Sequence, residues 1–300
     1  MRADPPWLQA SWPLATDQGA LGFTTTCHGG ASTGAFASNN IRFDIGDEPS
    51  AVTANRANLL DAINQQLCDA GAANDKASLM ARAKSPLSAS VTASVRLQWL
   101  DQVHGSKCVY ADESSLNSTP QADAAWTDEP GIGIAIQTAD CVPILITDQS
   151  ARVVGAAHAG WRGLVANIIS SLVVSMPAKP ADLRAWIGPC IGLRHFEVGE
   201  DVWSVILPIV PESVHKHPDD PSKRLVDLVA VARWQLRQSG VGSISAANIC
   251  TYASSDFYSY RQACISTSLN SGTAMGMTGR MASVVVCSPN YLRNRPLTGA

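Results

Sequence analysis

The chain has 300 residues, of which 46% are hydrophobic and 16% charged, so it can bury a large core and is not a disordered protein. Its net charge of −3, with no cluster of five or more Lys and Arg, excludes the electrostatic footprint of a general nucleic-acid binder. The length allows two domains or one large α/β domain.

The first residues predict no export signal, because Asp4, Pro5, Pro6, Pro13 and Asp17 interrupt any apolar run. No stretch is long and apolar enough to predict a membrane span. Residues 19–40 read as a strand followed by a Gly-, Ser- and Thr-rich loop. A helix is predicted next, capped by Asp47, with Pro49 in its first turn and Val52, Leu59, Leu60, Ile63 and Leu67 on one face. Residues 69–95 are Ala- and Ser-rich and read as a surface insertion.

From residue 97 apolar runs alternate with helical patterns. Ile132 to Ile136, Ile144 to Thr147, Val153 to Ala157 and Ala185 to Ile187 read as strands, and Ile244 to Cys250 and Ser283 to Cys287 as late strands. Helices are predicted over Leu164 to Met176 and Arg224 to Arg237, each with an i, i+4 apolar stripe. Without a repeat period or a clear linker, this gives an α/β or α+β protein.

The eight cysteines (27, 68, 108, 141, 190, 250, 264 and 287) form no Cys-x-x-Cys pair and are spread over the whole chain. That pattern predicts reduced thiols and a cytoplasmic protein. Of the six histidines, His215 and His217 lie in a polar, Pro-flanked stretch. His28, His104, His158 and His195 sit beside glycines or strand ends.

Three segments carry candidate chemistry: Gln102-Val103-His104-Gly105, Thr138-Ala139-Asp140-Cys141 and His158-Ala159-Gly160-Trp161-Arg162-Gly163. His104, Cys141 and His158 make a three-ligand set of the kind that leaves a catalytic zinc one open position. Their spacing matches no regular signature, so ordinary structural roles stand beside the metal reading. At the strand-to-helix junction, the N–H groups at Gly163 and the Arg162 guanidinium suit an anion; a surface turn with a paired Arg162 is the plainer alternative. Gly30-Ala31-Ser32-Thr33-Gly34 fits the letters of a nucleophile elbow, but no helical stripe follows it. Walker A, Gly-x-Gly-x-x-Gly and His-Glu-x-x-His motifs are absent.

Taken in order, Trp99 to Gly105, Thr138 to Pro143 and His158 to Gly163 resemble the YfiH-like family, also called the laccase-domain or polyphenol-oxidase-like family. His28 to Ser32, Gly46 to Pro49 with Asn55-Arg56, Ala122 to Ala124, Ile187 to Gly192, Cys250 to Tyr252, Tyr258 to Arg261 and Thr278 to Ser283 extend the likeness over residues 19–287. The resemblance implies one layered α/β/β/α domain with mixed sheets over residues 1–300, with insertions near 69–95 and 262–277. It implies zinc on His104, Cys141 and His158, copper being the other metal such a set takes, and substrate contacts at Ser32, Arg56, Arg261 and Arg280.

The activity it implies is phosphorolysis of adenosine, inosine and methylthioadenosine, with deamination of adenosine. Copper-dependent phenol oxidation and editing of cell-wall precursors are linked to other members. The implied partners are a purine nucleoside and phosphate, with no nucleic acid and no membrane. Cys27 and Gln262 stand where the family usually has Arg, which predicts a weaker phosphate site. Within this reading Arg162 and Arg261 hold phosphate, and Asp140 either shuttles protons or supports the ligand beside it. Cys141 is a ligand or, without metal, a nucleophile paired with His158.

Overall fold

The computed structural model describes residues 7–12, 20–79, 94–271 and 276–287. In chain order its elements are β1 (Trp7–Gln9), β2 (Ala20–Thr25), α1 (Pro49–Leu79), β3 (Arg96–Trp99), β4 (Cys108–Tyr110), β5 (Ala124–Thr127), β6 (Ile132–Thr138), β7 (Val142–Asp148) and β8 (Val154–Ala159). They continue with α2 (Trp161–Val165), α3 (Ile168–Ser175), β9 (Leu183–Ile187), β10 (Glu197–Val198), α4 (Glu200–Ile206), β11 (Val214–Lys216) and β12 (Arg224–Val226). Last come α5 (Leu228–Gln238), β13 (Ser243–Ala246), α6 (Tyr260–Ser271) and β14 (Met281–Cys287).

The strands form a five-stranded sheet in the order β1-β2-β14-β6-β3, a six-stranded sheet β13-β9-β7-β8-β5-β4, and a small sheet β10-β12-β11. Both large sheets are mixed: β3 runs parallel to β6, and β13 parallel to β9, among antiparallel neighbours. Side chains alternate across each strand, and both faces of β6, β7 and β8 are buried. Ile144 and Ile146 of β7 face α3 and α5, meeting Ile168, Leu172, Val231 and Leu236. Leu145 of the same strand faces the other way and packs with Ile134, Ile136, Val285 and Trp186 between the sheets. On the far face of the five-stranded sheet, Leu59 and Ile63 of α1 meet Phe23, Ala135 and Val284. The layers are therefore helix, sheet, sheet, helix. Each fully buried Leu or Ile here contributes about 1.5–3 kcal/mol relative to exposure.

Local chemistry moves several expected boundaries. The helix expected over Leu164 to Met176 is two helices, α2 and α3, because Asn167 takes a left-handed conformation (φ 61°) between them. The expected helix from Arg224 begins instead at Leu228. Arg224 to Val226 pair with both β10 and β11, and the Asp227 carboxylate then caps α5 by accepting the Ala230 N–H at 3.0 Å.

Within the stretch expected as a surface insertion, residues 69–79 continue α1, in keeping with the high helix propensity of their alanines; residues 80–93 lie outside the described residues. Within the second expected insertion, near 262–277, residues 262–271 belong to α6, and 272–275 lie outside the described residues. The late strand expected to reach Cys250 stops at Ala246, and Cys250 makes one isolated bridge to Cys190. Among the described residues no helix is long and apolar enough to cross a membrane.

Candidate metal centre and the basic cluster beside it

His104 follows β3 in a loop whose backbone is gathered by one buried acid. The Asp123 carboxylate accepts the N–H groups of Val103 (3.2 Å), His104 (2.9 Å) and Gly105 (2.7 Å), which holds His104 at φ 61°. Gln102 anchors the same loop to β6: its Oε1 accepts the Gln137 N–H at 2.7 Å and its Nε2 donates to the Gln137 carbonyl at 2.8 Å. His158 lies in β8, where its N–H donates to the Asp123 carbonyl (2.7 Å) and its Nδ1 pairs with Asp123 Oδ1 (2.8 Å). Asp123 thus orients the His158 imidazole and the His104 backbone at once, and leaves Nε2 of His158 to face Cys141.

Cys141 stands where the chain crosses from β6 in one sheet to β7 in the other. The turn is made by Asp140 (φ 88°), whose Oδ1 accepts Thr251 Oγ1–H (2.7 Å) and whose Oδ2 accepts Ser259 Oγ–H (3.0 Å) and the Arg261 N–H (2.7 Å). The Asp140 carbonyl also accepts the Ile191 N–H at 2.9 Å. One ligand atom each from His104, Cys141 and His158 lies within 4.8 Å of the others, Cys141 Sγ being 3.9 Å from His104 Nε2. His104 is exposed, Cys141 half-buried and His158 buried, so the cluster opens to solvent on the His104 side. Gly160, after β8, makes room for it: a Cβ there would sit 3.0 Å from Cys141 Sγ and 3.1 Å from His104 Cδ2.

Burial pushes the Cys141 thiol up. The charge on His158 and the hydrogen bonds of both imidazoles outweigh it, bringing Cys141 down to about 6. Burial likewise opposes charge on His158, and the Cys141 thiolate with the Asp123 bond raises it to about 9. Between these two values the shifts favour a thiolate beside an imidazolium when no metal is bound. Donors around one tetrahedral zinc lie about 3.5 Å apart. Two nitrogens and one sulfur already this close, with a carboxylate behind one imidazole, fit such an ion.

Arginines gather on the same side. Arg261 donates its Nη1 to the His195 carbonyl (3.2 Å) and lies over Phe196. The His195 ring is fixed in turn by stacking on Tyr252 (4.4 Å) and by Cys250 Sγ, 3.3 Å from its Nδ1. Arg280 directly precedes β14. Since Met281 pairs with Thr138, it lies against the turn leading to Cys141, and its Nη1 donates to the carbonyls of Thr278 (2.8 Å) and Gly279 (3.0 Å). Arg162 is exposed and stacks on its neighbour Trp161 (4.3 Å). The helix expected to point its N-terminus here ends at Val165, and Arg162 is not salt-bridged among the described residues.

The remaining two expected contacts, Ser32 and Arg56, already have partners within the chain. Ser32 is buried, donates to Asp47 Oδ2 (2.7 Å) and accepts Asn55 Nδ2–H (2.9 Å), tying the Gly-rich loop to α1. Arg56 stacks on Trp99 (3.8 Å) and Phe43 (4.6 Å) and donates Nε to the Ile41 carbonyl (2.7 Å), and burial lowers its pKa to about 10. Sequence reasoning gave Asp123 no role, although a carboxylate set among Ala122, Ala124 and Ala125 is itself a signal, because a buried acid requires partners.

A layered mixed α/β scaffold that brings two imidazoles and a thiol to one point presents a candidate metal site. The chain belongs to the family described as multi-copper polyphenol oxidoreductase laccase, the YfiH-like family, whose model matches residues 21–71 and 66–288. It is 33% identical over 282 residues to the Pseudomonas aeruginosa purine nucleoside phosphorylase PA4543, covering 93% of this chain and 97% of that one. It is 31% identical over 275 residues to Escherichia coli purine nucleoside phosphorylase YfiH, covering 91% and 96%. The crystal structure of Neisseria meningitidis NMB0706 superposes with a TM-score of 0.74 at 31% identity, over 95% of this chain and 100% of that one. YlmD from Geobacillus stearothermophilus gives a TM-score of 0.75 at 28% identity, over 96% and 98%.

Proposed function

We propose that this chain is a zinc-dependent purine nucleoside phosphorylase, acting on adenosine, inosine and methylthioadenosine, with deamination of adenosine as a second activity of the same site. The reading rests on the convergence of His104, Cys141 and His158 within 4.8 Å, near arginines with no carboxylate at ion-pair distance among the described residues. Full-length relatives named purine nucleoside phosphorylase support it. His104, Cys141 and His158 hold the metal, which when bound supplies a Lewis acid and an activated water for attack on C6 of adenine.

Phosphorolysis breaks the bond from C1′ to the purine nitrogen while a phosphate oxygen bonds to C1′, and the purine leaves with the electron pair. The dianion must be held close to a sugar that is gaining positive charge. Arg261 and Arg280 supply that hold, with Arg162, exposed on the segment that follows His158, as a third candidate. Asp140, with three hydrogen bonds on its two oxygens, acts as a positioning residue that fixes the Cys141 turn and the backbone of Arg261. The eight cysteines, none in a disulfide, fit a reducing cytoplasm.

Chromatography of adenosine incubated with the protein, with and without phosphate, tests the reading. Adenine that forms only with phosphate is the expected result, with inosine as the mark of deamination. Failure to form either product rejects it. Metal analysis of the purified protein decides between zinc and copper. The proximity of Cys141 to His158, within 4.8 Å, favours a second reading: with its thiol pushed down and the imidazole pushed up, the pair would serve as the nucleophile of an amidohydrolase acting on peptide-bearing precursors. Metal-free active protein and a covalent acyl adduct on Cys141 would establish that alternative.

A further inference from the structure

Arg280 is not alone at the edge of the centre. Asn40 is fully buried, and its Oδ1 accepts the backbone N–H of both Arg42 (3.1 Å) and Arg280 (2.9 Å). Its Nδ2 donates to the Arg42 carbonyl (3.0 Å) and to Asp47 Oδ2 (2.8 Å), and the Ile41 N–H reaches the Arg280 carbonyl (3.3 Å). One amide therefore holds two arginines side by side, on the strand end that lies against the Cys141 turn.

Neither guanidinium has a carboxylate within ion-pair distance among the described residues. The nearby acid, Asp47, commits its oxygens to Ser32, Asn40 and the Glu48 N–H. The Arg280 side chain donates only to two carbonyls, and the Arg42 side chain has no hydrogen bond among the described residues. Burial first, and repulsion from Arg42 second, hold the Arg280 guanidinium below its ordinary value, against the opposing pull of Cys141, Tyr260 and Asp140. Two adjacent cations partly withdrawn from water, with no carboxylate in direct contact with either among the described residues, are stabilised by an anion that joins them. Guanidinium groups match the oxygens of phosphate in pairs.

We propose that Arg42 and Arg280 form a subsite for a phosphate dianion beside the His104–Cys141–His158 centre, and that its occupant is the inorganic phosphate consumed in phosphorolysis. The inference deepens the proposed function and rests on it for the identity of the occupant. Arg42 enters as a substrate-binding residue that no motif in the sequence singled out.

Steady-state phosphorolysis of adenosine by the metal-loaded full chain tests it, with Arg42→Gln and Arg42→Lys beside the natural chain. The KM for phosphate is expected to rise about tenfold or more in Arg42→Gln, with partial recovery in Arg42→Lys and no change in the KM for adenosine. An unchanged KM for phosphate overturns the subsite. So does a variant that loses only its response to adenosine 5′-monophosphate, since Arg42 would then read a phosphate carried on a nucleotide.

Binding of inorganic phosphate alone, followed by calorimetry, separates this proposal from the reading it rests on. If the natural chain makes no adenine but binds phosphate, and Arg42→Gln binds it about tenfold more weakly, the subsite stands and phosphorolysis falls. If the natural chain binds no phosphate, the subsite falls. Matching near-ultraviolet circular dichroism of the three proteins guards against misfolding.

Discussion

Asp123 accepts three backbone N–H groups and one imidazole, and this arrangement makes it more consequential than any single ligand. Burial disfavours its charge, but the His158 bond and the Gly105 and His104 N–H groups hold the carboxyl below its usual range. An amide cannot replace it, because Asn would present an N–H₂ group to donors that need acceptors. Asp123→Asn is therefore expected to weaken metal binding by about 10–100-fold, measured by competition with a chromophoric chelator. Retention of the natural affinity would mean that the ligands are oriented by something else. Asp140 differs in that its oxygens face Thr251, Ser259 and the Arg261 backbone. Of the two roles read for it in the sequence, these contacts favour support over proton transfer.

The junction of β8 with α2 brings His158, Gly160 and Arg162 into one short segment, and there the backbone must pass close to the ligand sulfur. Gly160 has an ordinary negative φ (−63°), so its role is one of space. Gly160→Ala should displace Cys141 Sγ or the His104 ring. The expected result is metal affinity at least about tenfold lower with little change in the melting temperature of the metal-free protein, read by metal titration and thermal unfolding. Equal affinity would show that the cluster tolerates the methyl.

What was legible in the sequence divides along the same line. Helix α5 carries its stripe openly, and the candidate ligands, which the structure brings within 4.8 Å, stand out as His and Cys at strand ends. The break at Asn167 and the strand at Arg224 to Val226 were hidden, the first because it depends on one left-handed residue and the second because strand pairing is non-local. The same non-locality hid the tasks of Asp123, Ser32 and Arg56, whose partners are distant in the chain, and the pairing of Arg42 with Arg280 through Asn40.

Across the whole molecule, the three ligands come from the loop after β3, the crossing between β6 and β7, and β8, so an ion on them ties the five-stranded sheet to the six-stranded one. Binding to the folded state alone stabilises it by about 2.7 kcal/mol at a hundredfold excess over Kd. In a 300-residue chain that raises the melting temperature by about 4 °C. The sign of the pH dependence follows from the metal-free pair. Cys141 is ionised above about 6 and His158 protonated below about 9. A metal requires thiolate and neutral imidazole, so between these values binding must release the His158 proton. Apparent zinc affinity should then rise about tenfold per pH unit from 6 to 9 and level off above. Below 6 it should fall more steeply, because the Cys141 proton must leave as well. Zinc titrations of chelator-treated protein at pH 6, 7 and 8, each with a matching thermal scan, test both parts. A melting-temperature gain at fixed zinc that grows with pH is the expected outcome. A gain independent of pH would show that His158 is already neutral before metal arrives, and that the thiolate and imidazolium pair does not exist in the metal-free protein.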